Sequence, residues 1–487
     1  MLKITVEKSL KNFSYAVLLY FTAVIILITL SSTELLDDQF ALICLHLCSA
    51  LSFYIYWRHE PWGPSKYDSF GSVFLLLSIG FRCFSALDTL IYGTRFVMFP
   101  KTISVDSSIL SLVIRAEIIT QIGALLMVMA WRLTVGRSLW RFTFIDFVGS
   151  NNMNYFKVLY ILNLLTQFSF RIIGIDYQAF FQLIIILNFT GVASIYFLAL
   201  SNIDSKRFSK LIKAFILALP LSFFALNTGM KESIFFPFIP VIVILWITYS
   251  HAFVRASIIM LSISVFAASQ FYVNYTRENA WRNNQVISPF ELIKGTLGNT
   301  DNYSMLIALN MIGYRVNPTG THAITLAIAD RDGFIPAEIF SGIPANFIPR
   351  ILWSDKPILV PGQDHTQRIL GNTADLSQVG FSSTAPGFFL ELYLGGGILG
   401  LTFFSLFYGF LVGRIQLSIL TRLPSSATDV FNFIMFYSAF RLDENTISYA
   451  LSGIVLFYIL MLFIFNIISI ILVGIQRNKL TTVSLAS

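Results

Sequence analysis

The sequence predicts an all-α polytopic membrane protein with about twelve transmembrane helices and one large extracytoplasmic loop of short helices. Hydrophobic residues make up 56% of its 487 residues and charged residues only 12%, with a mean hydropathy of +0.73. A soluble domain carries about a quarter charged residues. The apolar residues are gathered in stretches of roughly 20, the length that crosses a bilayer as a helix. A single long polar region, residues 273–385, interrupts the series.

The apolar stretches divide the chain into three parts. Nine precede the polar region and three follow it, at residues 13–31, 40–57, 69–90, 109–131, 156–174, 179–200, 211–227, 234–249, 256–272, 386–413, 428–440 and 447–475. The predicted organisation is therefore spans 1–9 in residues 1–272, a folded loop in 273–385, and spans 10–12 in 386–487. No internal repeat is visible, which disfavours a transporter built from inverted repeats.

Lys and Arg in short loops predict the orientation, because they are retained on the cytoplasmic side of the membrane. With a cytoplasmic N-terminus and alternating spans, sixteen Lys and Arg fall in cytoplasmic segments and four in the opposite short loops. Both termini are therefore expected in the cytoplasm and the loop 273–385 outside. We attribute the net charge of +7 to the Lys and Arg of the cytoplasmic segments, so no nucleic-acid partner is expected.

Several ionisable residues fall inside the apolar stretches, where they are costly and usually face a cavity or a partner. In the predicted topology they lie in the outer half of the bilayer: Arg82, Asp88, Arg115, Glu117 and Arg171, with Glu391 at the outer end of the tenth span and Lys231 in a neighbouring outer loop. One interpretation is local ion pairing of Arg82 with Asp88 and of Arg115 with Glu117. The other is a cation-lined cavity for an anionic lipid headgroup, since arginine donates hydrogen bonds to phosphate in pairs.

Two stretches near the end of the large loop resemble a known family. The first contains Pro349-Arg350, then Trp353, then Lys356-Pro357; the second runs from Pro386-Gly387 through Glu391 to the glycines at 395–397. Both are similar to stretches of the Wzy-type O-antigen polymerases, also called oligosaccharide repeat unit polymerases. Lys231 lies in a weaker match to a basic turn of that family.

The resemblance implies a metal-independent glycosyltransferase without a cofactor, with a GT-C-like or ligase-like fold in the bacterial inner membrane. Its donor would be a growing glycan on undecaprenyl diphosphate, and its acceptor a repeat unit on a second undecaprenyl diphosphate. A sugar hydroxyl would attack the anomeric carbon at the periplasmic face, and the lipid diphosphate would leave. Membrane lipids and a chain-length regulator protein are the implied partners.

This chemistry selects the candidate site residues. Cationic side chains would stabilise the leaving diphosphate, and the candidates are Arg277, Arg282, Arg350 and Arg368 in the loop, with Arg82, Arg115, Arg171 and Lys231 below it. A general base would take the proton of the acceptor hydroxyl, and the candidates are Glu391, His365 and Asp364. No zinc-binding spacing and no phosphate-binding loop is present in the sequence, which disfavours an ATP-driven mechanism.

Two alternatives remain open. An O-antigen ligase would use the same donor with a different acceptor, and His365 is compatible with it. A lipid-linked oligosaccharide flippase or other transporter would also have about twelve helices and intramembrane arginines, but would not need the folded loop 273–385.

Overall fold

The computed structural model describes most of the predicted spans and part of the large loop. The described residues are 14–27, 37–59, 70–92, 95–98, 101–104, 107–135, 152–171, 181–200, 207–226, 236–248, 319–348, 386–422 and 446–486, with the single positions Lys11, Ile234, Ser257, Trp353, His365 and Leu442. Over these residues the chain is almost entirely helical, as the composition predicts.

The helices are labelled in chain order. They are α1 (Ser14–Leu27), α2 (Asp38–His59), α3 (Phe70–Tyr92), α4 (Ser107–Val135), α5 (Asn152–Arg171), α6 (Phe181–Leu200), α7 (Arg207–Leu226), α8 (Ile239–Thr248), α9 (Thr319–Asp332), α10 (Pro336–Phe340), α11 (Gly342–Phe347), α12 (Phe388–Arg422) and α13 (Ile447–Ala486). A short 3-10 turn, Phe236–Phe238, precedes α8. Strands β1 (Arg95–Met98) and β2 (Lys101–Ser104) form an antiparallel hairpin between α3 and α4.

Within the described residues, five helices are long and apolar enough to cross a membrane. These spans are Gln39–Arg58, Phe74–Ile91, Leu110–Val135, Phe388–Ile419 and Ile447–Ile468, and Ser14–Leu27 and Leu187–Ala199 are shorter apolar helices. The prediction of a helical membrane protein is confirmed at this level. The expected spans 256–272, apart from Ser257, and 428–440 lie outside the described residues. The helix within the expected span 234–249 has only ten residues.

The first helices are joined by polar cross-links. The Gln39 side chain of α2 donates a hydrogen bond to the backbone oxygen of Thr89 in α3 at 2.9 Å, and Ser52 donates to the backbone oxygen of Ala16 in α1 at 3.0 Å. Within an apolar environment such bonds fix helices in register, because the bonded groups have no water as an alternative partner.

Helices α4 and α12 pack closely along parallel directions. Gly123 of α4 faces Leu401, and further along α12 the backbone at Gly409 lies against Met127 and Gly413 against Thr134. A side chain at Gly409 would overlap the carbonyl oxygen of Met127. Small residues allow this approach, which is a common way of packing helices in membranes.

The chain reverses direction inside α12. The rings of Phe388 and Tyr408 are 4.9 Å apart between centroids, although twenty residues of continuous helix would separate them by about 30 Å. Gly396 and Gly397 are non-helical, and Gly397 has a φ of 60°, a conformation that favours glycine. The predicted span 386–413 is therefore present within the candidate span Phe388–Ile419, but it begins with a short arm, 388–395, that runs antiparallel to the residues that follow.

Two phenylalanines of the large loop pack on this reversal. Phe334 lies against Gly397 and Phe340 against Gly395, and at both glycines a β-carbon would come within 2.7 Å of the ring. The backbone amide of Ile335 donates to the carbonyl oxygen of Leu394 at 3.0 Å, an oxygen near the break, where helical bonding ends. The expected short helices of the loop are present here as α10 and α11.

Helix α9 of the large loop lies across one end of the bundle. It packs on α4, α12 and β1, and Ala323 joins a buried apolar cluster with residues of α1, α2 and α4. The hairpin between α3 and α4 and the large loop therefore meet at the same end. The alternating topology predicted from the sequence requires this arrangement, because both segments are then outer loops.

Candidate functional site

A bidentate ion pair connects α9 to the bundle. The two terminal guanidinium nitrogens of Arg115, Nη1 and Nη2, donate to the carboxylate of Asp330 at 2.7 and 3.0 Å. The two side chains are 47% and 44% exposed, and Tyr393 of α12 lies next to the same guanidinium. Three segments distant in sequence therefore meet at this end: α4, α9 and α12.

Below α9 lies a second ion pair, which is fully enclosed by the protein. The Arg82 Nε of α3 donates to the Glu117 Oε1 of α4 at 2.9 Å, with side-chain exposures of 4% and 5%. The guanidinium lies over the ring of Phe53 in α2, 5.6 Å from its centroid. Burying two charges costs several kcal/mol per ion before pairing. The attraction between Arg82 and Glu117 must offset this cost.

The ion pair belongs to a larger group of polar side chains between α1, α2, α3, α4 and α9. We call it the polar cluster, and it consists of Tyr20, His46, Ser49, Arg82, Glu117, Gln121 and His322, all buried. Arg82, His46 and His322 are within electrostatic range of Glu117, and Ser49 lies beside Tyr20. Gln121 follows Glu117 by one helical turn, so the two lie on one face of α4.

Neutral members of the polar cluster have unused hydrogen-bonding groups. Among the described residues, neither ring nitrogen of His46 and neither amide atom of Gln121 has a hydrogen-bond partner. His46 is within electrostatic range of both Glu117 and Arg82, and the Tyr20 and Ser49 hydroxyls lie next to each other. Most buried polar groups are paired, so unused groups on neighbouring helices suggest a place where a polar molecule binds.

Helix α9 covers one side of the polar cluster and contributes His322 to it. His322 is within electrostatic range of Glu117 and of His365, and the His365 Nε2 lies 3.1 Å from the Thr325 hydroxyl. Burial, with a smaller effect of His322, lowers the pKa of His365 to about 4. His365 is therefore neutral at physiological pH.

Glu391 lies on the short arm of α12, one of the positions proposed from sequence for the general base. Its carboxylate accepts a hydrogen bond from the backbone amide of Ile447, the first residue of α13. The first amides of a helix have no partner within the helix, and a negative charge is favourable there. This geometry gives Glu391 a capping role in joining α12 to α13.

The ion pairs differ from the local pairs that the sequence suggested. Arg82 bonds to Glu117 on the next helix, and Arg115 bonds to Asp330 of the loop. Arg115 and Glu117 are two residues apart on one helix, so their side chains point to different sides. The suggested pairing of Arg115 with Glu117 is therefore wrong, because Arg115 pairs with Asp330.

The other predicted site residues are only partly within the described structure. Arg171 ends α5, with its side chain outside the described part. The remaining candidates also lie outside it: Arg277, Arg282, Arg350, Arg368, Lys231 and Asp364. The structure brings Arg82 and His365 to the same region below and beside α9, and it places Glu391 at the start of α13.

Sequence reasoning missed His46, Gln121 and His322. His46 and Gln121 lie in apolar stretches, where a buried structural role is the ordinary expectation, and His322 lies in the polar region 273–385. The available signal was their helical spacing: His46 is three residues before Ser49, and Gln121 four residues after Glu117.

The polar cluster has the chemistry of a site for an uncharged polar ligand. The charges of Arg82 and Glu117 compensate each other, while imidazole, amide and hydroxyl groups offer both donors and acceptors. Within the described part of the chain, no three His, Cys, Asp or Glu side chains are arranged to hold a metal ion.

A comparison with protein families gives one match over most of the chain. The family described as "Domain of unknown function (DUF8712)" matches residues 76–474, a range that includes α4, α9, α12 and most of α3. No curated protein and no solved structure matches the chain.

Proposed function

We propose that this chain, which belongs to the DUF8712 family, is a glycosyltransferase that polymerises lipid-linked oligosaccharides. It transfers a growing glycan from undecaprenyl diphosphate to a repeat unit on a second undecaprenyl diphosphate. The proposal places it in the bacterial inner membrane, with about twelve spans in a GT-C-like or ligase-like arrangement, cytoplasmic termini and the large loop in the periplasm. A chain-length regulator protein would be its partner.

The observation that carries the proposal is the enclosed polar cluster beneath α9. Ionisable groups within a membrane protein are expensive and mark substrate or ion pathways. The Arg82–Glu117 pair lies between candidate spans, and a helix of the large loop covers it with His322. A reaction between two lipid-linked glycans needs polar groups that are shielded from water next to the membrane surface.

The diphosphate requires cations nearer the surface than the polar cluster. Arg115 is half-exposed and lies at the end of the bundle with Tyr393 beside it, so it fits this role better than Arg82. In our proposal Arg115 acts with the loop residues Arg277, Arg282, Arg350 and Arg368. Asp330 holds its guanidinium in place until substrate binds.

The proton of the acceptor hydroxyl needs a base, and the contacts of the candidate residues favour one of them. Glu391 already accepts from the Ile447 amide, which favours a structural role. His365 is neutral and within hydrogen-bonding distance of Thr325, so it can accept a proton once that contact opens. We therefore rank His365 before Glu391, with Asp364 as its neighbour in sequence.

One observation also favours a transporter for lipid-linked oligosaccharides. Histidines near an enclosed Arg–Glu pair resemble the proton relays of pumps and transporters. A flippase of this kind would move its substrate without forming glycosidic bonds, so the products separate the two functions.

A deletion strain tests the proposed function. Surface polysaccharide is separated on a gel, and lipid-linked glycans are extracted in parallel. A polymerase predicts a single repeat unit in place of the long ladder, with the ladder restored by the wild-type gene. Polymer accumulating on the lipid without transfer to its final acceptor would instead indicate a ligase. Repeat units trapped at the cytoplasmic face would indicate a flippase.

A further inference from the structure

The polar cluster differs from the surface arginines in its electrostatic character. The one Arg in the cluster, Arg82, is bonded to Glu117 and covered by the ring of Phe53. An anion placed there would face the Glu117 carboxylate as well as the guanidinium, so it would gain little. A diphosphate is therefore a poor ligand for the polar cluster, although Arg82 was expected from the sequence to bind one.

Its hydrogen-bonding groups match a different chemistry. Neutral imidazole offers one donor and one acceptor, a primary amide offers both, and each hydroxyl can act as either. Among the described residues the ring nitrogens of His46 and the amide of Gln121 have no partner. Sugar hydroxyls also donate and accept, so a sugar can satisfy mixed groups of this kind without introducing a charge.

The position of the polar cluster fits the same ligand. Helix α9 lies across it, and the Arg115–Asp330 pair connects α9 to α4 at the exposed end. A lipid-linked sugar bound with its diphosphate at Arg115 would reach the cluster by extending beneath α9. The diphosphate and the sugar of one substrate would then occupy two neighbouring sites, at Arg115 and at the polar cluster.

We propose that the polar cluster, through His46, Gln121 and the Tyr20 and Ser49 hydroxyls, binds an uncharged sugar of the lipid-linked repeat unit. This inference rests on the proposed function and adds a binding site to it. Arg82 and Glu117 then serve as positioning residues: their pair fixes α3 against α4 and keeps the site electrically neutral.

A comparison of two probes tests the site. The full chain is purified in lipid nanodiscs, and its Kd is measured for lipid-linked repeat unit extracted from the deletion strain and for undecaprenyl diphosphate without sugar. The variants are Gln121→Met, which keeps the side-chain length, and Tyr20→Phe, which removes one hydroxyl. Ser405→Ala is the control, because the Ser405 hydroxyl of α12 is also buried without a partner among the described residues but lies outside the cluster.

We expect Gln121→Met to raise the Kd for the sugar-bearing lipid about tenfold and Tyr20→Phe three- to tenfold. Neither should change the Kd for undecaprenyl diphosphate by more than about twofold, and Ser405→Ala should change neither. Unchanged binding of the sugar-bearing lipid to both variants would overturn the inference. Equal loss of both probes would also overturn it, since the cluster would then act on the diphosphate or on the fold.

Binding and elongation measured with the same proteins show whether the sugar site alone is wrong or the proposed function is wrong as well. If wild type elongates glycan and binds the sugar-bearing lipid, but the variants bind it normally, only the sugar site is wrong. If wild type shows no preference for the sugar-bearing lipid and no elongation, both proposals are wrong. The Tyr20→Phe variant remains informative if Gln121→Met does not fold, because it removes a single oxygen atom.

Discussion

Arg82 of α3 and Glu117 of α4 form a hydrogen-bonded ion pair of 2.9 Å that is almost completely enclosed by the protein. The pair connects two helices whose own connection is the hairpin β1–β2. Neither charge is exposed to solvent, so the contribution of this pair to stability differs from that of the half-exposed Arg115–Asp330 pair. Exposed pairs contribute about 0.2–1 kcal/mol.

The first prediction concerns this enclosed pair. Arg82→Leu should lower the free energy of unfolding by about 3–5 kcal/mol, because it leaves the Glu117 charge buried without its partner. The double variant Arg82→Leu/Glu117→Leu should recover most of that stability, since no charge remains. Unfolding in detergent measures both, with the Arg115→Leu/Asp330→Leu pair as the control. A double variant as unstable as the single one would contradict this account of the pair.

The second prediction concerns the reversal in α12. Gly395→Ala should lower stability by about 1–3 kcal/mol, as overpacking does, because its β-carbon would lie 2.7 Å from the Phe340 ring. Gly396→Ala is the matched control: nothing lies within 4 Å of the added atom, and the φ of −169° is extended. Phe340→Leu should relieve the clash in Gly395→Ala. Equal thermal unfolding of the two alanine variants would show that the loop does not pack there.

The fold was predictable where hydrophobic stretches are long and separate, as in α2, α3 and α4. The reversal in α12 was not, because hydrophobicity alone cannot distinguish one long span from a short arm folded back on a span. The glycines at 395–397 were the available signal.

The candidate site was predictable in its charged residues and not in their partners. Arg82, Arg115 and Glu117 stand out because charge is rare in apolar stretches, yet their bonds connect different helices and depend on packing. Asp330 lies 215 residues from Arg115, and no local pattern indicates such a contact. His46 and Gln121 gain significance only when α2 and α4 are placed side by side.

The third prediction separates a capping role from a catalytic role for Glu391. Glu391→Gln keeps an oxygen that accepts from the Ile447 amide, so stability and glycan chain length should remain close to wild type. Glu391→Leu removes the acceptor and should cost about 1–3 kcal/mol, the penalty of an unsatisfied buried donor. Unfolding and polysaccharide gels measure the two effects. A stable Glu391→Gln protein without polymer would instead identify Glu391 as the base.

The fourth prediction concerns acid sensitivity at His365. Burial lowers its pKa from 6.5 to about 4, so the unfolded chain takes up this proton before the folded chain does. Stability should therefore decrease as the pH falls from 6.5 towards 4, by an amount on the order of 3 kcal/mol. In unfolding measurements between pH 7 and 4, the His365→Gln variant should not show this part of the decrease in stability. Parallel pH curves for the variant and wild type would contradict the burial of this imidazole.

The most direct test is reconstitution of the purified chain in liposomes with lipid-linked repeat unit as the only glycan. The account predicts a ladder of lipid-linked products, with one undecaprenyl diphosphate released for each new glycosidic bond. The Arg82→Leu/Glu117→Leu variant should be folded but should produce a much weaker ladder, because its sugar site is no longer positioned. Movement of the repeat unit across the bilayer without any bond formation would contradict the proposed polymerase and favour the transporter.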